Sequence, residues 1–203
     1  MNTPDNNPTF CVILTTCDDA RKIEENLPVF LEQEYEPGYQ VIIVDMSSTD
    51  DTADVLKSLK ADHKNLYTTF LPKYQFQPNR RKMALTIGVK AAKQQWIVFA
   101  DISTPPPSGQ WIAELAEALA APTVLALGYI SRKTGDVRLQ TFEDLDKARS
   151  IVSKTEHKHD KAHHVRWMRY LRGCYDFMVV DATRAHDLLR LFGDEKYKLQ
   201  KGR

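Results

Sequence analysis

The chain reads as an α/β protein with a mostly parallel central sheet flanked by helices on both faces, and three observations carry that reading. Apolar, β-branched runs alternate with helical periodicities over the first 130 residues, an alternation that builds parallel sheets through right-handed crossovers. Two of these runs stop abruptly at an aspartate, Val41 to Val44 at Asp45 and Trp96 to Ala100 at Asp101. Each aspartate opens a polar or proline-rich turn, and in open α/β sheets ligands bind outside the carboxyl ends of the strands, where such turns lie.

Phe10 to Thr16 is a continuous apolar run, the mark of a strand buried on both faces. Asp18 or Asp19 is placed to cap the next helix, in which Ile23, Leu27, Phe30 and Leu31 share one face. Pro28 lies inside that helix and is expected to kink or shorten it. After Glu36-Pro37-Gly38 comes the second strand, and Ser48 or Asp50 caps a helix with Val55, Leu56 and Leu59 inward. Leu66 to Leu71 is a third, Thr- and Tyr-rich strand, followed by a loop and a helix over 79–93 with Ala84, Ile87 and Ala91 inward. Trp96 to Ala100 is the fourth strand; Ser108 caps a helix carrying Trp111, Leu115, Ala118 and Leu119; Val124 to Tyr129 is a fifth strand.

From Lys133 the rhythm breaks. Residues 142–153 and 162–171 read as helices, 174–180 as a strand, and 183–191 as a helix capped by Asp181 or Thr183. This part is expected to pack over the open edge of the sheet as the second wall of a cleft. Residues 1–9, polar with two prolines, read as a disordered lead-in, and 10–203 as one domain.

The formal net charge of +1 gives no case for bulk nucleic-acid binding, so no nucleic-acid partner is expected. No apolar run approaches the roughly 20 residues that span a bilayer, and the N-terminus has no signal-peptide pattern. Cys11, Cys17 and Cys174 form no C-x-x-C pair and no even framework. Cys11 and Cys17 therefore read as reduced and buried, in keeping with a cytoplasmic location.

Taken together, several segments resemble the family 2 glycosyltransferases, which have the Rossmann-like GT-A nucleotide-diphospho-sugar transferase fold. Val12 to Thr16 resembles the family's opening strand, and Leu31-Glu32-Gln33-Glu34-Tyr35 its Leu-x-Gln-x-Tyr helix end. Ile43 to Thr52 is similar to the "VVDDGSTDDT" signature, and Arg81 through Gly88 to the "KxxALNxG" helix. Trp96 to Ser103 resembles the strand that ends in a metal-binding Asp-x-Asp. The likeness runs in order over roughly 10–130 and is loose beyond. It implies a nucleotide-binding half at 10–130 and an acceptor-side half at 131–203, read as truncated.

The resemblance implies transfer of a sugar from a nucleotide-diphosphate donor, a UDP-sugar, to a hydroxyl acceptor by inverting single displacement. Envelope polysaccharide synthesis is the expected setting. The alternative is a degenerate domain that binds nucleotide or glycan without turnover. Thr15 and Asp45 would line the nucleoside pocket, Asp101 would face the ribose or diphosphate, and Lys82 would contact phosphate. The expected cofactor is a divalent metal, Mg or Mn, at Asp101, with Ser103 where the family has its principal metal-ligating aspartate. Met46 likewise stands where an acidic residue is usual. Each residue also has a plainer reading: Asp45 as a helix cap, Asp101 in an Asx-turn, Arg81 and Lys82 as a solvated helix start, Thr15 bonding backbone.

The family's catalytic base is a late acidic residue, often in Gly-Glu-Asp. Asp194 in Gly193-Asp194-Glu195 is the candidate; an alignment of Leu191 to Tyr197 with "GGFDExF" would instead put the base motif at Gly202-Arg203. Finally, residues 147–172 hold eight Lys or Arg against two acids, with four histidines and interleaved Trp167, Met168, Tyr170 and Leu171. The segment reads as a solvated basic face, or as a peripheral contact with anionic membrane or a lipid-linked glycan acceptor.

Overall fold

The computed structural model describes residues 7–73, 80–119, 122–131, 133–148 and 175–193. In chain order the elements are β1 (Phe10–Thr16), α1 (Ala20–Leu31), β2 (Tyr39–Asp45), α2 (Thr52–Asp62), β3 (Leu66–Phe70), α3 (Arg80–Ala91) and β4 (Trp96–Phe99). They continue with α4 (Trp111–Ala118), β5 (Leu125–Ile130), β6 (Val137–Phe142), β7 (Phe177–Asp181), a 3-10 turn (Ala182–Arg184) and α5 (Ala185–Gly193).

The strands form one sheet in the order β3-β2-β1-β4-β7-β5-β6. The first four are parallel, as strand–helix alternation requires, and β7, β5 and β6 add to them antiparallel. The late strand is therefore not a wall over the sheet edge: β7 inserts between β4 and β5, pairing Val98 with Val179 and Ala126 with Val179. Residue 142 also departs from expectation, since Phe142 closes strand β6 rather than opening a helix. Helical backbone begins only at 145–148, and the helix expected over 162–171 lies outside the described residues.

Period-two alternation assigns each strand residue to one of two cores. Cys11 and Ile13 of β1, Ile42 and Val44 of β2, and Ile97 and Phe99 of β4 face α3 and α5, meeting Ala84, Leu85, Leu188 and Leu189. Phe10, Val12 and Leu14 face the other way with Val41, Ile43 and Val98, against Ile23, Leu27 and Phe30 of α1, Leu56 of α2, and Trp111, Ile112 and Leu115 of α4. Full burial of each such Leu, Ile or Phe contributes about 1.5–3 kcal/mol. Gly88 allows α3 to lie close on β1, because a Cβ there would stand 2.6 Å from Ile13 Cγ2.

One helix start departs from the sequence reading, and the other uses a residue that the sequence offered. Asp19 and Asp51 hold the N-cap positions of α1 and α2, yet neither side chain caps. Asp50, a candidate cap of α2 in the sequence, serves both: it accepts from Thr52 N–H at 3.1 Å within its own turn and, across the loops, from Ala20 N–H of α1 at 3.0 Å. Pro28 does not shorten α1, which runs unbroken to Leu31. A proline removes one N–H there, whereas Ile23, Leu27, Phe30 and Leu31 on the same helix are all buried.

Candidate functional site

Parallel register brings the two strand-end aspartates to one rim. Thr16 pairs with Asp45 across β1 and β2, and the β1–β4 register ends with Ile13 paired to Phe99, two residues before Asp101. Asp45 closes β2 and Asp101 lies two residues beyond β4, the strands on either side of β1. Thr15 and Thr16 lie between them, both buried, with hydroxyls that have no hydrogen-bond partner among the described residues.

Asp45 organises its own turn. Its carboxylate accepts from Ser48 N–H at 3.0 Å and from Ser48 Oγ at 2.6 Å, the Asx geometry that short acidic side chains favour after a strand. Ser48 Oγ in turn accepts from Asp18 N–H at 2.9 Å, and the Asp18 carboxylate accepts from Thr49 N–H at 2.6 Å and Thr49 Oγ1 at 3.2 Å. The loops after β1 and β2 are in this way clasped to each other. The Thr49 N–H bond is the main reason that the Asp18 carboxyl lies below its ordinary pKa. Asp50 is lowered too, first by the nearby Thr52 hydroxyl and next by the Ala20 N–H.

Left-handed backbone at two non-glycine residues, Asp18 (φ 52°) and Ser47 (φ 61°), shapes the same loops. Asp18 is of a type that tolerates this conformation; Ser47 is not, and its hydroxyl donates to Leu71 O at 2.6 Å, linking the ends of β2 and β3. Cys17, read from the sequence as buried, is exposed, because β1 ends one residue earlier. Partial burial of its sulfur and the neighbouring Asp18 and Asp45 charges raise its pKa, with Arg80 acting in the opposite sense.

The first turn of α3 closes the rim from the side. Arg80 donates to Met46 O at 2.6 Å and Arg81 to Asp101 Oδ2 at 2.9 Å, so consecutive arginines tie the helix start to the ends of β2 and β4. The second Asp101 oxygen accepts from Ser103 N–H at 2.9 Å. Asn26 Nδ2 holds the same loop through Ile102 O at 2.9 Å. The Asp101 side chain is 8% exposed and that of Arg81 24%, which makes this a largely desolvated ion pair.

Of the residues expected at the site, Thr15, Asp45, Lys82, Asp101 and Ser103 lie on the strand ends and helix start that bound this rim. Asp194 lies outside the described residues, as does segment 147–172 apart from residues 147 and 148. The sequence reading passed over Arg80 and Ser47 and offered Asp18 and Ser48 only as local helix caps, whereas all four build the rim through bonds between its loops and the helix start. The run Arg80-Arg81-Lys82 directly at a helix start was the available signal for the first of them.

A divalent cation of the Mg or Mn type needs several oxygen ligands, carboxylates foremost. Here Asp101 has both oxygens engaged, Ser103 offers an exposed neutral hydroxyl, and no three His, Cys, Asp or Glu side chains converge among the described residues. The donor set does not fit such an ion.

The chain is similar to several known glycosyltransferase structures and to one family model. The chain is similar to a mannosyltransferase, PcManGT from Pyrobaculum calidifontis, solved with GDP-Man and Mn2+: 27% identity over 64% of this chain and 37% of that one, TM-score 0.55. It is also similar to S. aureus TarS 1-349 in complex with UDP-GlcNAc, with 23% identity over 54% of this chain and 30% of that one, TM-score 0.45. M. tuberculosis glucosyl-3-phosphoglycerate synthase aligns at 16% identity over 87% and 58% of the two chains, TM-score 0.49. The chain thus spans 58% or less of the length of these solved structures. No curated protein sequence matches it. No helix among the described residues is long and apolar enough to cross a membrane. The family model described as Glycosyl transferase family 2 matches residues 11–170, most of the molecule and the whole of the rim built above, so the chain belongs to glycosyl transferase family 2.

Proposed function

We propose that the chain transfers a glycosyl group from a nucleotide-diphosphate donor, a UDP-sugar, to a hydroxyl acceptor. The observation that carries this reading is the pair Asp45 and Asp101 on strand ends flanking β1, with Arg80 and Arg81 bonded to the same two loops. A ribose or base edge offers donors for carboxylates, and a diphosphate calls for cations; the rim holds both kinds of group side by side.

In the reaction, the acceptor oxygen attacks the anomeric carbon, the bond from that carbon to the diphosphate oxygen breaks, and configuration inverts. The hydroxyl proton passes to a general base, for which Asp194 is the proposal, and the nucleoside diphosphate leaves with the bonding electrons. The acceptor is a glycan or lipid-linked hydroxyl on the cytoplasmic face of an anionic membrane, which the basic residues of 147–172 would attract. Envelope polysaccharide synthesis is the setting in which such an acceptor occurs.

The test is release of nucleoside diphosphate from a panel of UDP- and GDP-sugars by the full chain, alongside thermal-shift titration with the same donors. Turnover is expected with a UDP-sugar, and Asp45→Asn is expected to weaken donor binding by about tenfold. Absence of a shift with every donor, with and without Mn2+, would overturn the reading. Ser103 and Met46, neutral where the family signature is acidic, favour a second reading: a domain that binds donor without turnover. That reading predicts a thermal shift with no diphosphate released.

A further inference from the structure

The rim's charge arrangement differs from what the family expectation requires, and the difference has its own logic. A hard dication at Asp101 would have to displace Arg81 from a largely desolvated carboxylate and leave the guanidinium beside it. Among the described residues no three His, Cys, Asp or Glu side chains converge there to complete its ligand set. Meanwhile the chain has already placed positive charge there. The first turn of α3 begins Arg80-Arg81-Lys82 and carries no acid, although the N-terminal end of a helix dipole repels cations. Arg81 also keeps Nε buried with no partner among the described residues, an N–H of a kind that a phosphate oxygen accepts well.

We propose that Arg81, held by Asp101 and supported by Arg80, supplies the countercharge for a nucleoside diphosphate at this rim in place of a divalent cation. The inference rests on the donor reading above and specifies how that donor is gripped. Asp101 is then a positioning residue: it fixes the guanidinium plane, and Ser103 N–H fixes Asp101. A phosphate group settling against this turn adds an anion beside Asp101 to offset its positive charge.

The experiment is calorimetric titration of the full chain with UDP and with GDP, each in EDTA and in MnCl2, together with Mn2+ titration followed by electron paramagnetic resonance. The affinity of the bound diphosphate is expected to change by less than about twofold between EDTA and Mn2+. The free Mn2+ signal is expected to persist when protein is added. Arg81→Gln should weaken the diphosphate about tenfold or more and the corresponding nucleoside by less than about twofold. Arg81→Lys, which keeps the charge and is the milder change if the glutamine variant loses its circular dichroism, should fall between. Ser103→Asp should create Mn2+ binding that the parent chain lacks. Tightening of UDP or GDP by Mn2+ of about tenfold or more in the parent chain would overturn the inference while leaving the donor reading intact. Binding of neither nucleotide in either condition would overturn both.

Discussion

The Asp18 carboxylate accepts the Thr49 N–H at 2.6 Å, which locks the loop after β1 to the loop after β2 on the ligand side of the sheet. Both partners are exposed, so the bond shapes the rim more than it stabilises the core. It also makes the rim sensitive to acid. Asp18 and Asp50 titrate below their ordinary value of 3.8 in the folded chain, so below that value the unfolded chain binds more protons and stability falls with falling pH. Urea midpoints are expected to be insensitive to this pair at neutral pH and to decline as pH drops from about 4 through the lowered folded values. Asp18→Asn, which tolerates the left-handed backbone, should flatten part of that decline. An unchanged acid limb in the variant would dissociate Asp18 from it.

Ser47 combines strain and a bond, and two substitutions separate them. Ser47→Ala keeps the left-handed backbone and loses the hydroxyl bond to Leu71 O, a loss of about 0.5–1.5 kcal/mol. Ser47→Gly loses the same bond but relieves a backbone cost of about 1–2 kcal/mol. Glycine is therefore expected to be the more stable variant in chemical denaturation, and alanine the less stable. The family signature has glycine at this place, which makes the serine a local departure with a measurable cost.

The two described thiols should differ sharply in reactivity. Cys11 is buried within β1 and burial pushes its pKa up to about 12, whereas Cys17 is exposed at the rim with a more modestly raised pKa. In a Cys174→Ser background, Ellman's reagent is expected to titrate one thiol in the native chain, abolished by Cys17→Ser. Its rate should keep rising above the pH of an ordinary thiol, and UDP should slow it. Two native thiols reacting at similar rates would contradict the packing around β1.

Gly128 faces the Phe177 ring across β5 and β7, and a Cβ there would lie 2.1 Å from Phe177 Cζ. The ring has little room to yield, because it meets Trp111 edge-on at 5.0 Å, and Trp111 meets Phe30 at 6.2 Å. Gly128→Ala is expected to destabilise the chain by about 1–3 kcal/mol. A double-mutant cycle with Phe177→Leu should show coupling, with a smaller alanine penalty once the ring is gone.

Legibility of the fold followed the physics of each segment. Strands β1, β2 and β4 could be read directly because both their faces are buried, which writes an unbroken apolar run into the sequence. Strand β6 escaped because it sits at the sheet edge, where Arg138, Gln140 and Thr141 break any run. Strand β7 could be read as a strand but not placed, since local pattern does not say which neighbour a strand will find. The place of Asp45 and Asp101 at the ends of β2 and β4 was legible from the apolar run before each. The cross-loop bonds of Asp18, Ser48 and Asp50 were not, because the cap expected of Asp19 goes unused and these bonds run between loops distant in sequence.

The insertion of β7 between β4 and β5 bears on how the polypeptide acquires its shape during translation. Until Phe177 to Asp181 emerges from the ribosome, the nascent chain presents the unpaired backbone edges of β4 and β5 to whatever lies nearby, a template for pairing with another chain. Closing that gap late, over a long intervening stretch, makes acquisition of the native state slow in the manner of high contact order. It also makes the front and rear portions a single cooperative unit, so a nascent chain stalled before β7 is a substrate for chaperones rather than an independently folded module.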